Sequence, residues 1–95
     1  NEIAPRPHNS FHWSIEGCET SQFTQLIRAV AGLPLGTTNC YGTWQMDNLL
    51  GEDMGGLEAL ANKAGLHIHL YGKVEPKTGR KMGHINQQIS SKPIA

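Results

Sequence analysis

Leu66-His67-Ile68-His69-Leu70-Tyr71 alternates apolar and polar side chains, and beyond a loop Lys81-Met82-Gly83-His84-Ile85-Asn86-Gln87-Gln88-Ile89 runs on as a second extended stretch. A period of two puts successive side chains on opposite faces of a strand, so Leu66, Ile68 and Leu70 form one apolar stripe. Glu75-Pro76-Lys77-Thr78-Gly79 between the stretches predicts a hairpin. A lone hairpin is marginal in water, so the stripe needs company. Trp44-Gln45-Met46-Asp47-Asn48-Leu49-Leu50 is the expected third strand. A helix starting after Gly55-Gly56, with Leu57, Leu60, Ala61 and Ala64 on one face and Gly65 as its stop, is the expected cover.

Further towards the amino terminus a second helix is expected. After Thr20 or Ser21 as N-cap, Phe23, Leu26, Ile27 and Val30 recur at i, i+3, i+4 and i+7, and Gly32 and Pro34 end the pattern. The class is therefore α+β. Pro34, Gly36 and Gly42 punctuate the stretch from Leu33 to Gly42, which reads as a link between two lobes. Phe23, Ile27, Leu57, Leu60, Ile68 and Leu70 are the expected core, with Trp13 and Trp44 packing where the lobes meet. Ser90 to Ala95 has neither period nor charge pattern and reads as a frayed end or a linker.

Composition excludes more than it proposes. Ninety-five residues make one small domain or part of a larger one. Eight basic and eight acidic side chains cancel, leaving no electrostatic footprint for nucleic acid or an anionic membrane. No apolar run approaches the roughly 20 residues of a membrane span, so a soluble, cytoplasmic protein is expected. Cys18 and Cys40 have no CxxC partner, and a reducing compartment is the simpler reading, with a disulfide between them as the alternative.

The first twelve residues, Asn1-Glu2-Ile3-Ala4-Pro5-Arg6-Pro7-His8-Asn9-Ser10-Phe11-His12, carry more chemistry than any core requires. Pro5 and Pro7 push the residues before them towards extended backbone, giving a stiff ribbon that directs polar side chains. This stretch resembles the Asn-Glu-(Ile/Leu)-Ala-Pro-Arg-x-His-Asn-Ser-Gly-His pattern of the carboxyaminoimidazole ribonucleotide synthetases, ATP-grasp enzymes of purine biosynthesis, departing from it at Phe11. Thr20-Ser21-Gln22-Phe23, Gly32-Leu33-Pro34-Leu35, Asn48-Leu49-Leu50-Gly51, His67 to Lys73 and Gly79 to Ile85 follow in that family's order. The wording of the first stretches is nearest to fungal members, in which a mutase domain follows and the whole is called phosphoribosylaminoimidazole carboxylase.

The resemblance implies the end of an ATP-grasp domain over residues 1–36, a strand plus a helix. A small β-rich carboxyl-terminal lobe, with a hairpin and one covering helix, would follow over 37–95. It implies ATP and Mg²⁺ as cofactors, aminoimidazole ribonucleotide and bicarbonate as substrates, and preceding lobes and a homodimer as partners. A fused mutase domain is a further possible partner. Ninety-five residues alone are not expected to catalyse, because nothing here resembles the nucleotide-binding glycine loop or the adenine hinge.

Single residues carry two readings each. Glu2 is either a solvated acid or, as the resemblance implies, a Mg²⁺ ligand, since hard cations prefer carboxylate oxygens. Arg6 and His8, two apart on an extended segment, share a side; a guanidinium can hold an oxyanion by paired hydrogen bonds and an imidazole can move a proton. The resemblance gives both to the carboxyphosphate step, against a surface ion pair and a loop histidine. Asn9 and Ser10 either bind substrate or cap the following turn. Lys73 and Arg80 flank the hairpin loop; the resemblance makes them the clamp of the ribonucleotide 5′-phosphate, while composition alone makes them solvated charge. Lys77 and Lys81 are read as surface.

A rival constellation is zinc held by His67, His69 and His84 with Cys18 or Cys40. Three departures bear on function: Phe11 where the family has glycine and the backbone would need φ > 0, Asp47 where relatives carry an apolar residue, and Asn39 to Gly42 in place of a Ser-Pro approach. A divergent copy without catalysis is one consequence. A non-catalytic ribonucleotide-binding module and a subunit-interaction fragment are the competing function classes.

Overall fold

The computed structural model describes Ile3 and residues 6–91. A 3₁₀ turn at Asn9–Phe11 leads into α1 (Ser14–Gly17) and α2 (Gln22–Val30); β1 (Thr43–Leu50), a 3₁₀ stretch (Gly51–Gly56), α3 (Leu57–Ala61), β2 (Leu66–Leu70) and β3 (Lys81–Ser90) follow. The sheet is antiparallel with β3 between β1 and β2. The expected hairpin, third strand and α+β class are all present.

α2 forms where its pattern and caps place it. Ser21 accepts the Thr24 N–H at 3.2 Å as N-cap. Its end is a Schellman closure: Gly32 at φ 72° lets Leu33 N–H reach Arg28 O at 2.8 Å and Gly32 N–H reach Ala29 O at 3.3 Å. α3 differs from expectation. It ends at Ala61, with Asn62 as C-cap, so Ala64 is exposed and Gly65, at φ 82°, belongs to the turn into β2. Leu57 and Leu60 complete the useful contact within five residues, and a small Ala61-Ala64 stripe adds little apolar area to extend it. α1 and the turn before it have no period to announce them.

Register assigns the faces. Ile85 lies opposite both Ile68 and Asp47, and Gly83 opposite Leu49 and Leu70. Leu49 and Ile85 are buried here, with half-buried Ile68, Leu57 and Leu60 around them. On the other face His84 lies opposite His69 and Asn48, and Asn86 opposite His67 and Met46. This face is polar yet covered: His84 is 2% exposed and Asn86 0%, with Met82 buried beside them. α1 and the turn before it form the lid.

The core is thinner than the period suggests. Phe23 (39%), Ile27 (65%) and Leu70 (52%), expected inside, are exposed. Ile27 faces outward because nothing among the described residues packs over that side of α2, Phe23 is left partly open beyond its stack on His12, and Leu70 sits at the end of an edge strand. Trp13 and Trp44 converge on Gly17, where a Cβ would stand 2.6 Å from Trp13 and 2.9 Å from Trp44. That close approach ties the amino-terminal segment to β1.

Candidate functional site

His8 is extended, at φ −110° and ψ 142°, and its own ring caps the turn that follows: Ser10 N–H donates to Nδ1 at 3.2 Å and Ser10 Oγ lies 2.8 Å from the same atom. The cap is therefore His8, not Asn9 or Ser10. A backbone donor into Nδ1 places the proton of neutral His8 on Nε2. Phe11 fits this turn without the freedom a glycine would bring. Its N–H reaches His8 O at 3.0 Å, and no described residue other than glycine has positive φ.

Gln22, the first residue of α2, holds His8 from both sides. Its Oε1 accepts the His8 N–H and its Nε2 donates to the His8 carbonyl, each at 2.8 Å. The same Nε2 lies 2.8 Å from His12 Nδ1, and the Gln22 N–H donates to buried Ser14 Oγ at 3.0 Å. The helix start thus fixes the segment carrying His8. Arg6 lies exposed at a bend, with Nη1 donating to the adjacent Pro7 carbonyl at 3.4 Å. The ribbon expected across Arg6 is bent there. Glu2 lies outside the described residues.

From His12 the contacts run across the polar face of the sheet. His12 stacks on Phe23 at 5.2 Å and sits 5.0 Å from His84, which stacks on His69 at 4.6 Å. Tyr71 Oη lies 2.8 Å from His84 Nδ1. Glu16 on α1 holds His69 Nε2 at 2.9 Å and accepts from Asn86 Nδ2 at 2.8 Å, while Asn86 also donates to the His12 carbonyl at 3.1 Å. Burial, helped by the neighbouring His69 and His12, pushes His84 down to about 4, and Glu16 opposes the shift. His12 is lowered for the same first reason, then by Lys81, His69 and His8. Burial raises Tyr71. His84 Nε2, Asn86 Oδ1 and Asn48 Oδ1 are buried with no hydrogen-bond partner among the described residues, so a charge on His84 would be costly.

On the hairpin, Lys73 Nζ lies 5.7 Å from the centre of the Tyr71 ring. Arg80 Nη1 donates to the Glu75 carbonyl at 3.2 Å and its N–H to Lys77 O at 3.0 Å, so the loop folds onto its own backbone. Two contacts moor that loop to the 3₁₀ stretch after β1. Glu52 Oε1 accepts the Gly79 N–H at 2.8 Å, which holds its carboxyl below the usual range. Gly51 lies so close to Lys77 that a Cβ would overlap the Lys77 carbonyl.

Sequence reasoning missed Gln22, Glu16, Glu52, Tyr71 and His12. Gln22 stood in the Thr20 to Phe23 motif and could have been singled out there; Glu16 and Glu52 act on residues 53 and 27 positions away, which spacing cannot show. The zinc constellation is not assembled. His67 packs on Trp44 at 5.7 Å, Cys18 and Cys40 face each other, and among the described residues no three His, Cys, Asp or Glu gather to hold a metal.

Two family descriptions match: the ATP-grasp domain over residues 1–23 and the phosphoribosylaminoimidazole carboxylase C-terminal domain over residues 45–93. The bifunctional purine synthesis protein purC/E of Dictyostelium discoideum is 50% identical across 93% of this chain, which covers 10% of that protein. The crystal structure of N5-carboxyaminoimidazole ribonucleotide synthetase from Thermus thermophilus is 53% identical at TM-score 0.81, over 93% of this chain and 24% of that one. The Aspergillus clavatus N5-carboxyaminoimidazole synthase, solved in complex with ADP and 5-aminoimidazole ribonucleotide, is 37% identical at TM-score 0.81, over 87% and 24%. The chain spans a quarter or less of each of these proteins. With sheet, helices and motif order all in agreement, it belongs to the phosphoribosylaminoimidazole carboxylase C-terminal domain family, and ATP-grasp sequence precedes that domain in the same chain.

Proposed function

We propose that the chain is the carboxyl-terminal part of an ATP-dependent synthetase that carboxylates aminoimidazole ribonucleotide with bicarbonate through carboxyphosphate. The observation that carries the reading is the unbroken run of contacts from His8 through Gln22, His12, His84 and Tyr71 to Lys73. It supports a shared frame for the residues assigned to the acyl phosphate and those assigned to the ribonucleotide.

ATP phosphorylates bicarbonate, releasing ADP; the exocyclic amine of the ribonucleotide then takes the carboxyl carbon, directly or as CO₂, as phosphate leaves and the amine gives up a proton. Arg6 pairs its guanidinium with oxyanions of carboxyphosphate. His8, with its neutral-state proton on Nε2, donates to a departing phosphate oxygen. Asn9 and Ser10 border the substrate, and Lys73 and Arg80 grip the 5′-phosphate as point charge and fork. Water exclusion by the closed lobes protects the acyl phosphate. Mg²⁺ on the ATP phosphates would take Glu2, which lies outside the described residues; the described residues bind, orient and place protons.

Residues 1–36 form the end of the ATP-grasp domain in this reading, and 37–95 the small lobe. The exposed apolar side of α2, with Ile27 at 65% and Val30 at 79%, suits burial under the preceding lobes. A homodimer, a cytoplasmic location and, as in the Dictyostelium relative, fusion to a second purine enzyme complete the proposal. The test is bicarbonate-dependent ADP release by the full-length enzyme as ribonucleotide is added. Lys73→Ala and Arg80→Ala should each raise the half-saturating ribonucleotide concentration tenfold or more, the equivalent of about 1.4 kcal/mol at a charged hydrogen bond. Unchanged half-saturation in both would reduce the hairpin cations to surface charge.

A further inference from the structure

Cys18 and Cys40, 22 residues apart, stand with their sulfurs 3.1 Å from each other as free thiols. The pair is held by backbone. Glu19 N–H donates to Asn39 O at 2.9 Å and Tyr41 N–H to Gly17 O at 2.7 Å, so the two cysteines form an isolated antiparallel bridge of the non-hydrogen-bonded kind. At such a position Cα atoms stand about 4.5 Å apart, within the roughly 4.4–6.8 Å that a disulfide spans. No backbone movement is needed to join them.

We propose that Cys18 and Cys40 are a thiol–disulfide site, closed by exchange with a small-molecule disulfide and reopened by small-molecule thiols. Cys40 is exposed and Cys18 half-buried, so the reagent meets Cys40 first. The Cys40 thiolate attacks one sulfur of the reagent disulfide and releases one reagent thiol. Cys18 then gives up its proton and attacks Cys40 Sγ, expelling the second. Two protein thiols are oxidised by two electrons and one reagent disulfide is reduced to two thiols. Cys18 is the resolving partner because its sulfur already stands 3.1 Å from Cys40 Sγ; burial, then the hydrogen bond to Cys40, push its thiol up to about 12, so it is not the thiol that meets the reagent first.

The bond would join two parts that matter for the site. Cys18 lies four residues before Gln22, which grips His8, and Cys40 leads into β1. Oxidation therefore staples the segment between α1 and α2 to the segment entering β1 without using any residue of the carboxyphosphate or phosphate-clamp sets.

The test uses the full-length enzyme equilibrated with oxidised and reduced glutathione across a range of ratios, quenched with acid and alkylated, with peptide mapping by mass spectrometry. The expected result is a Cys18–Cys40 cross-linked peptide at oxidising ratios, lost on adding dithiothreitol. Cys18→Ser should instead leave Cys40 carrying glutathione, and Cys40→Ser should leave Cys18 alkylated. Two independent glutathione adducts in the wild type, or alkylation of both thiols at every ratio, would overturn the proposal.

Discussion

Protonation of His84 is the sharpest test of the polar face. Its ring is 2% exposed and its pKa falls from 6.5 to about 4, chiefly through burial. Between those two values the unfolded strand binds the proton and the folded one refuses it, so the stabilisation is complete above pH 6.5 and is lost as pH falls towards 4. At about 1.4 kcal/mol per tenfold change in proton affinity, the loss between pH 7 and pH 5 is about 2 kcal/mol, roughly a thirtyfold rise in the open population. Hydrogen exchange of the peptide covering Lys81–Ser90 in the full-length enzyme, corrected for intrinsic rates, reads that population directly. His84→Gln should be less protected at pH 7 but should lose most of the pH dependence, since the remaining shift belongs to His12. Protection at pH 5 within twofold of that at pH 7, or an undiminished drop in the glutamine variant, would refute the account.

Other perturbations separate positioning from binding. Gln22→Ala, which releases both sides of the His8 backbone, should lower kcat about tenfold while leaving half-saturation by ribonucleotide within twofold, because displacing a reacting group costs rate rather than binding. Glu52→Ala frees the Gly79 N–H and should weaken ribonucleotide binding severalfold at unchanged kcat, from the loss of one solvent-exposed hydrogen bond. The same anchor in the wild type should weaken as pH falls below the ordinary carboxylate range, since the Glu52 carboxyl titrates lower in the folded chain. Leu49→Ala empties a position that is 3% exposed and should destabilise the lobe by about 2–5 kcal/mol, read as increased exchange across β1 and β3.

Periodicity made the sheet and α2 legible, because each of those elements repeats one physical demand over several residues. Leu66 to Leu70 needs one covered face, and Phe23 to Val30 needs a cap, a stripe and a stop; all three were written locally. Local pattern says nothing about what supplies the cover, so Ile27 and Leu70 were read as core although nothing among the described residues buries them. α1 was invisible for a related reason: four residues, Ser14–Gly17, are too few to show a period, and their fold comes from Gly17 fitting between two tryptophans. The site divides the same way. Arg6, His8, Lys73 and Arg80 were singled out by motif order and their roles are those of the proposal, while Glu16 and Glu52 become partners of His69 and Gly79 only once the chain has folded.

The two faces of the sheet follow from this division. An apolar face would have joined the lobe to the amino-terminal segment with more energy and less direction. The face actually used carries His69, His84 and Asn86 against Glu16, His12 and Tyr71, where each hydrogen bond has one acceptable geometry. Slippage of α1 by one residue would keep much of an apolar contact but would strip Asn86 and His69 of their shared carboxylate. A buried polar seam of this kind costs stability, as the unpartnered His84 Nε2 and Asn86 Oδ1 show. What it provides is registration: Gln22 sets His8 from one end and Tyr71 meets Lys73 at the other. In the proposed reaction one end addresses the acyl phosphate and the other holds the 5′-phosphate of the ribonucleotide whose amine must reach it, so an error of about 1 Å between them would be felt in rate before it was felt in stability.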